Sequence, residues 1–248
     1  MTRLDNRRLA YLDAMGIDVW VPSQEVIKPE VETPTAPHIK VQPASEETTP
    51  VEALTSGTVS IDASLMDWTA LQATVSTCTL CDLHQSRFQT VFGTGSHSAD
   101  VLIVGEAPGA DEDKQGEPFV GQAGQLLTAM LKAIGFERNE VYIANILKCH
   151  PPQNHDPSAE EAEACRAYLN RQIELIQPKI ILALGRVAAQ QLLKTNTSLA
   201  RLRGKQHYID DISVPILVTY HPAYLLRAPQ EKRKAWEDLQ FLMSKLSS

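Results

Sequence analysis

Four short runs of β-branched and aliphatic residues recur along the chain at intervals that suit buried parallel strands. They cover residues 101–105, 141–147, 179–184 and 214–220. Strands of a parallel sheet are covered on both faces and are therefore apolar throughout, which is the pattern of these runs. Helical patterns separate them over residues 122–134, 158–177, 186–195 and 230–246. The alternation predicts an α/β fold, a three-layer αβα sandwich around a central four-stranded parallel sheet.

The part of the chain before these runs lacks the alternation. Residues 1–26 contain a short amphipathic helical pattern that ends at Gly16, followed by an apolar cluster around Trp20. Residues 27–64 are rich in Pro, Thr, Glu and Ser and have no hydrophobic period, which predicts a disordered linker. We therefore expect a disordered N-terminal tail ahead of one folded domain over residues 65–248.

Composition changes this picture in two ways. The chain has no apolar run long enough to span a membrane, and its N-terminus lacks the pattern of a signal peptide, so we expect a cytoplasmic monomer without membrane association. The net charge of −7 is uneven, because residues 1–65 carry a net −5 while residues 201–248 carry a net +3. The acidity therefore lies mostly in the tail and does not argue against a nucleic-acid partner.

Candidate chemistry is concentrated in the loop that follows the first strand. The segment 101–124, VLIVGEAPGADEDKQGEPFVGQAG, runs from a strand into a loop rich in glycine and acidic residues. Ligands of open α/β sheets bind beyond the carboxyl ends of the strands, and glycine lets a backbone approach them closely. Phe119 is the one large aromatic residue among these glycines, which suggests a stacking surface for a flat ligand such as a nucleobase. The alternative is an ordinary loop with a core phenylalanine.

The ends of the other strands add polar residues at the same edge of the predicted sheet. Glu106, Asn145, Gly185 and His221 each follow or end a strand. Because parallel strands present their carboxyl ends at one edge, we expect these four residues to converge.

The four cysteines form the second signal. Cys78 and Cys81 make a C-x2-C pair, and Cys149 and Cys165 follow much later. Thiols in a cytoplasmic protein seldom form disulfides, so a tetrathiolate site for an iron–sulfur cluster or for zinc is the natural interpretation. The wide second spacing favours a [4Fe–4S] cluster, with zinc as the alternative. Unrelated buried thiols and a redox C-x-x-C remain open.

The third signal is the segment 219–227, TYHPAYLLR, directly after the last strand. We expect Tyr224, Leu225 and Leu226 to be exposed on a loop, where apolar side chains could wedge between bases while Arg227 contacts phosphate. Arg203 and Lys205, in the basic stretch RLRGK, are candidates for a second phosphate contact, although a solvated basic loop would look the same.

Together these motifs resemble the family 4 uracil-DNA glycosylases, which are iron–sulfur members of the uracil-DNA glycosylase superfamily. The resemblance covers about residues 68–245 and includes GEAPGADEDKQGEPFVGQAG, NILKCHPP, the four spaced cysteines and HPAYLLR. It implies a base-excision repair enzyme that flips deoxyuridine out of DNA and hydrolyses its N-glycosidic bond.

The resemblance also implies roles for individual residues. Phe119 would stack on the extruded uracil, Asn145 would hydrogen-bond the O4 and N3 edge, and His221 would donate to O2 as negative charge develops on the base. Leu225 would be the wedge that fills the vacated stack. The remaining residues of the predicted uracil site are Gly105, Glu106 and Ala107, which would line the pocket and help to place water, and Glu112, which would crowd the C5 position and exclude thymine.

One position departs from part of the superfamily. Members with a GQDPY-type motif carry an aspartate where this chain has Ala107, so no carboxylate at that position activates water. The same departure supports an alternative, a non-catalytic iron–sulfur DNA-binding accessory protein of replication or repair. A nucleotide hydrolase is a further alternative, but the consecutive acids at 111–113 point in different directions and would make a poor metal site.

The tail allows a separate hypothesis about partners. The segment RRLAYLDAMGIDVWVP within residues 1–26 is similar to the N-terminus of the psi subunit of the bacterial replicative clamp loader. Such a peptide could fold onto a replication or repair protein and tether the domain through the flexible linker. The alternative is a dispensable extension that packs on its own domain.

Overall fold

The computed structural model describes residues 61–209 and 212–246, and these form a mixed sheet of six strands with helices on both faces. The strand order is β1-β3-β2-β4-β6-β5. The strands are β1 (Thr94–Gly95), β2 (Val101–Gly105), β3 (Tyr142–Asn145), β4 (Ile180–Leu184), β5 (His207–Ile209) and β6 (Ile212–Thr219). The four inner strands are mutually parallel, and the two edge strands run antiparallel to their neighbours.

The four predicted strands are therefore confirmed, and the two edge strands were missed. Every residue of β2, β3 and β4 is buried, as expected for strands covered on both faces. The edge strands β1 and β5 have two and three residues, which are half-buried or exposed, and so carry no apolar run that a pattern could detect. The register pairs Gly105 of β2 with Asn145 of β3, which brings two predicted site residues side by side.

The helices form the outer two layers. They are α1 (Trp68–Ser76), α2 (Leu83–Ser86), α3 (Ala110–Gln115), α4 (Gln122–Ala133), α5 (Ala159–Ile176), α6 (Gly185–Leu193), α7 (Leu199–Leu202), α8 (Pro222–Arg227) and α9 (Lys232–Leu246). Helices α5 and α6 pack on one face of the sheet, and α4 and α9 pack on the other. This is the predicted three-layer αβα arrangement, with one apolar core on each side of the sheet.

Alternating side chains along the strands supply the two cores. Leu102 and Val104 of β2 point to the face covered by α5, whereas Val101 and Ile103 point to the face covered by α4. Helix α5 begins at a capping box, in which the Ser158 hydroxyl accepts from the backbone N–H of Glu161 and the Glu161 carboxylate accepts from the backbone N–H of Ser158.

A smaller cluster packs the N-terminal end of the described chain. Ala63 is 3% exposed and lies with Leu71 and Val75 of α1, Phe92 and Tyr168. The packed chain therefore begins before the boundary predicted at residue 65. The predicted partner-binding segment 1–26 and the linker up to residue 60 lie outside the described residues. Within the described residues no helix is both long and apolar enough to cross a membrane.

Candidate functional site

A cavity of about 480 Å³ opens at the carboxyl ends of the inner strands. Its volume suits a small ligand, and its position is the one expected for ligand sites in open α/β sheets. It is lined by Glu106, Ala107, Pro108, Gly109, Glu112, Phe119, Ala123, Asn145, Pro151, Asn154, His155, Asp156, His221, Ala223, Tyr224 and Arg227. Glu106, Asn145 and His221 thus converge as predicted. Gly185 lies behind the wall, where a Cβ would come within 2.9 Å of the Cβ of His221.

Phe119 is held rigidly against this cavity. Its side chain is 7% exposed, and its ring lies 5.5 Å from the ring of His221 at an angle of 32°. The residue has a φ of 56°, which a non-glycine residue adopts only where the surroundings enforce it. Gly124 allows this, because a Cβ there would lie 1.7 Å from the Phe119 carbonyl oxygen.

Asn145 is the last residue of β3, and its side-chain amide oxygen lacks a hydrogen-bond donor within the part of the chain that the structure describes. The residue is 2% exposed, and its Oδ1 is buried without a hydrogen-bond donor from the described residues. A buried acceptor without a donor costs on the order of 1–3 kcal/mol, so this atom is matched to a donor that a ligand brings.

The absence of a side chain at Gly105 is what allows Asn145 and Phe119 to meet. A Cβ at Gly105 would lie 2.3 Å from Oδ1 of Asn145 and 2.7 Å from Cζ of Phe119. We expect Gly105→Ala to displace both side chains and to destabilise the fold by about 1–3 kcal/mol, as overpacking does. Thermal unfolding measures this, with an expected fall in Tm of roughly 3–10 °C.

Gly121→Ala is the matched control, since a Cβ there would lie 3.3 Å from an Asp111 carboxylate oxygen and 3.8 Å from a Glu112 oxygen, the second an ordinary van der Waals contact. If both variants lose the same Tm, the added methyl group at Gly105 costs no more than the one at Gly121. The clash with Asn145 and Phe119 would then be relieved by movement of their side chains.

His221 is a neutral imidazole with a defined tautomer. Its Nδ1 accepts a hydrogen bond of 3.2 Å from the backbone N–H of Ala223 at the start of α8, so the single proton of the neutral ring is on Nε2. Burial, assisted by the charge of Arg227, lowers the pKa of His221 from 6.5 to about 4. The ring therefore offers a neutral N–H donor to the cavity throughout the physiological pH range.

Glu106 presents a carboxylate without a fixed partner. No group among the described residues donates a hydrogen bond to it, and burial, assisted by the charge of Asp156, raises its pKa above the ordinary value. Asp156 itself is paired with Arg186 across the rim of the cavity. A partly desolvated carboxylate of this kind can orient a water molecule or accept a proton.

Glu112 lines the cavity, and its carboxylate is tied to the loop backbone. Its carboxylate accepts from the backbone N–H groups of Gly109 at 3.1 Å, Val120 at 3.0 Å and Gly121 at 3.2 Å. These bonds connect the start of α3 to the start of α4 and shape the loop that carries Phe119. Ala107 also lines the cavity.

The segment 151–156 forms a wall that sequence reasoning missed. Pro151, Asn154, His155 and Asp156 line the cavity, and both Gln153 and Asn154 have positive φ values of 56° and 53°. Strained backbone of this kind is common at functional sites. The Pro151-Pro152 pair after Asn145 was the available signal, because a proline holds the residue before it in an extended conformation.

Helix α8 corrects the exposure predicted for Leu225. Leu225 is 1% exposed and packs in the core beside α4 and α9, so it cannot enter a DNA stack from this position. Tyr224 and Leu226 are 38% and 41% exposed, and Arg227 is exposed at the cavity. The reason is helical periodicity: Pro222 and Leu225 lie three residues apart and face inward, which turns their neighbours outward.

Arg203 also differs from its predicted position. Its guanidinium donates to both carboxylate oxygens of Asp238, at 2.7 and 3.0 Å, and its side chain is only 12% exposed. An arginine paired in this way inside the fold is not available to phosphate. Lys205, two residues later, is exposed and stays a predicted DNA contact.

The four cysteines come together on the face of the sheet covered by α5. All are free thiols; Cys149 and Cys165 are buried, whereas Cys78 and Cys81 are half-buried. Burial raises the pKa of Cys149, although the hydrogen bond and the charge of Arg87 oppose this rise. Burial likewise raises the pKa of Cys165, with smaller effects of Cys149 and Cys81. Cys149, Cys165 and Cys81 belong to the core on this face, and Cys78 packs in the adjoining cluster with Tyr168.

Two cationic side chains accompany the thiols. Arg87 Nη1 donates to Sγ of Cys149 at 3.1 Å. The Lys148 ammonium is completely buried and donates to the Asn145 carbonyl at 3.0 Å and to Oε1 of Gln172 at 2.7 Å. Lys148, the residue before Cys149, thus joins the end of β3 to Gln172 of α5.

The thiols are not arranged around a single ion. Among residues 61–209 and 212–246, no three His, Cys, Asp or Glu side chains are grouped so that they could hold one metal ion. A tetrahedral zinc site requires its sulfurs about 4 Å apart, given a Zn–S distance near 2.3 Å.

Comparison with known proteins shows the family to which the chain belongs. Residues 92–240 match the family model of the uracil DNA glycosylase superfamily. The chain is 45% identical over 172 residues to a type-4 uracil-DNA glycosylase of Archaeoglobus fulgidus, covering 67% of this chain and 86% of that protein. It is 42% identical over 170 residues to the type-4 uracil-DNA glycosylase of Thermotoga maritima, covering 67% and 88%.

The chain is less similar to a type-5 relative than to the type-4 relatives. A type-5 uracil-DNA glycosylase of Pyrobaculum aerophilum is 30% identical over 146 residues, covering 53% of this chain and 64% of that protein. The chain therefore belongs to the uracil-DNA glycosylase superfamily and, within it, to the type-4 group.

Proposed function

We propose that this protein is a uracil-DNA glycosylase that flips deoxyuridine out of DNA and hydrolyses its N-glycosidic bond. One observation carries the proposal: a cavity of suitable size brings together an unpartnered amide oxygen, a neutral N–H donor and an aromatic ring. These are the groups that a flipped pyrimidine requires, and the type-4 relatives bear the name of this activity.

Asn145 reads the base in this proposal. Its Oδ1 accepts the N3–H of uracil, and its amide N–H group donates to O4. Cytosine has an acceptor at N3 and a donor at C4, so both contacts would be mismatched. Leaving such buried groups unpaired costs about 1–3 kcal/mol each, which is enough for useful discrimination. Glu112 remains our proposed barrier to the methyl group of thymine, since three backbone N–H groups keep its carboxylate in place at the cavity.

His221 stabilises the leaving group. As the C1′–N1 bond breaks, the bonding electrons move into the uracil ring and negative charge develops on O2. The Nε2–H of His221 donates to that oxygen, and a donor that is already in place before the reaction stabilises the charge without reorganisation. Phe119 stacks on the ring and keeps it in the plane of these contacts.

Glu106 completes the hydrolysis by orienting water. A water molecule held at its carboxylate adds through oxygen to C1′, and the proton it loses passes to the carboxylate and then to solvent. The uracil anion takes up a proton at N1, so the products are uracil and an abasic site. Ala107 carries no acid, and Glu106 is the carboxylate next to it in the cavity.

We further propose that Cys78, Cys81, Cys149 and Cys165 hold a [4Fe–4S] cluster. The donor set fits, because all four are free thiols, the ligand type that such a cluster takes, and two of them are buried. When bound, the cluster would link Cys78 and Cys81, before β1, covalently to Cys149 and Cys165, after Asn145. Arg87 and Lys148 offset the negative charge of the thiolates.

The test is excision from a labelled oligonucleotide that contains one uracil, with abasic sites cleaved by alkali. Wild-type protein is compared with Asn145→Ala and with Asn139→Ala, an exposed asparagine near the start of β3, as the matched control. Cleavage by the wild type and the control but not by Asn145→Ala supports the proposal. DNA binding without cleavage by wild-type protein with full iron content would replace it with the accessory-protein alternative.

Acidification is expected to slow excision through Glu106 and not through His221. Burial raises the pKa of Glu106 above 4.5 but lowers the pKa of His221 to about 4. As the pH falls from 8, Glu106 takes up a proton first, while His221 is still neutral and able to donate. The excision rate of Glu106→Gln should therefore be about 100-fold below that of wild type at neutral pH. It should not change as the pH falls to about 5. An unchanged acid limb in this variant would assign the titration to another group.

A further inference from the structure

Three side chains form a continuous stack that ends at the rim of the cavity. The Arg203 guanidinium lies 4.5 Å from the ring centroid of Tyr220. The ring of Tyr220 lies 5.2 Å from that of Tyr224, with an angle of 25° between their planes. Tyr224 lines the cavity together with His221 and Arg227. We call the three residues Arg203, Tyr220 and Tyr224 the aromatic ladder.

The inner end of the ladder is anchored in the fold. Arg203 donates to both oxygens of Asp238 in α9 and, through Nη2, to the Lys234 carbonyl at 2.6 Å. The Thr219 hydroxyl at the end of β6 donates to the same carboxylate at 2.7 Å. Because Thr219 and Asp238 are buried, the guanidinium and the first ring cannot shift easily.

The outer end of the ladder is open. Tyr224 is 38% exposed although Tyr220 covers one side of it, and α8 turns Tyr224 and Leu226 away from the core. A ring with one face packed and the other exposed is already ordered. It therefore loses little conformational entropy when a flat partner stacks on its exposed face. The mechanism described above uses Phe119 for the flipped base and leaves Tyr224 without a role.

We propose that Tyr224 is a stacking site for a second nucleobase, the one next to the flipped deoxyuridine. The inference rests on the proposed function, because flipping one nucleotide deprives its neighbour of a stacking partner. Tyr224 offers a replacement at the rim of the cavity that takes the flipped base. Every base has an aromatic face, so this site binds without regard to sequence.

The test is binding to a duplex in which 2-aminopurine adjoins a deoxyuridine analogue that resists hydrolysis. The fluorescence of 2-aminopurine rises when the base unstacks and falls when it stacks on an aromatic ring. Protein with full iron content is titrated for wild type, Tyr224→Ala, Tyr224→Phe and the control Tyr208→Ala. Tyr208 is 65% exposed on the edge strand β5 and does not line the cavity.

We expect Tyr224→Ala to weaken binding about tenfold, as loss of one base–aromatic stack does, and to leave 2-aminopurine bright in the complex. Tyr224→Phe should restore the affinity and the quenching, and Tyr208→Ala should match wild type. Wild-type affinity and quenching in Tyr224→Ala would overturn the proposal, and so would equal weakening in Tyr224→Phe.

The outcome is separable from that of the proposed function. Binding and fluorescence are read on DNA that is not cleaved, whereas excision is read on ordinary uracil-containing DNA. If wild-type protein excises uracil while Tyr224→Ala binds normally, only the stacking site fails. If wild-type protein quenches 2-aminopurine and excises nothing, only the proposed function fails.

Discussion

Replacing His221 with alanine is expected to slow uracil excision by about 10²–10³-fold, the usual effect of removing a donor aimed at developing charge. The imidazole is preorganised for this role, since the Ala223 N–H fixes its tautomer and burial keeps it neutral. The loss should appear in the single-turnover rate at saturating protein, because the interaction strengthens as charge develops in the transition state.

The control for this prediction is His97→Ala. His97 stacks on Trp68 at a centroid distance of 4.1 Å and lies near Tyr142, at the end of β3 remote from Asn145. We expect it to leave the excision rate as in wild type. A His221→Ala rate close to that of wild type would show that another group stabilises the leaving base.

Cys149→Ala is expected to lose both iron and stability. Cys149 is buried, accepts from Arg87 and follows Lys148, whose ammonium supports the Asn145 carbonyl. Without its thiolate the cluster loses a ligand, and two buried or half-buried cations lose their counter-charge, at a cost of about 3–5 kcal/mol. For a domain of this size that corresponds to a fall in Tm of roughly 10 °C.

Visible absorbance, iron content and thermal unfolding measure this outcome together. Thr79→Ala is the matched control, because Thr79 is exposed between Cys78 and Cys81 and offers no sulfur ligand. A Cys149→Ala protein that is well folded, colourless and fully active would contradict the covalent link that we propose.

Local sequence patterns were sufficient to predict the four inner strands of the sheet and the residues at the centre of the site. The strands β2, β3 and β4 and the second half of β6 are buried on both faces, so their composition alone distinguishes them. Glu106, Asn145 and His221 follow strands whose carboxyl ends share one edge, and parallel topology makes them converge. The C-x2-C pair and the two later cysteines were likewise visible as candidate ligands.

The sequence could not say which side of a short element faces the core, and this is where predictions failed. Leu225 and Leu226 are identical in chemistry, yet only the packing of α8 against the core makes the first buried and the second exposed. Arg203 looked like a free basic residue because its partner Asp238 is 35 residues away. The same pairing builds the aromatic ladder beneath Tyr224.

The division has a physical cause. Hydrophobic period, strand length and glycine content act over a few neighbouring residues, so the αβα frame, the strand ends and the candidate ligands follow from the chain alone. The unpartnered oxygen of Asn145, the neutral tautomer of His221 and the inward turn of Leu225 depend on groups brought together from distant segments. Burial and desolvation arise only when those segments pack, and they decide which of the candidate residues can contact a base.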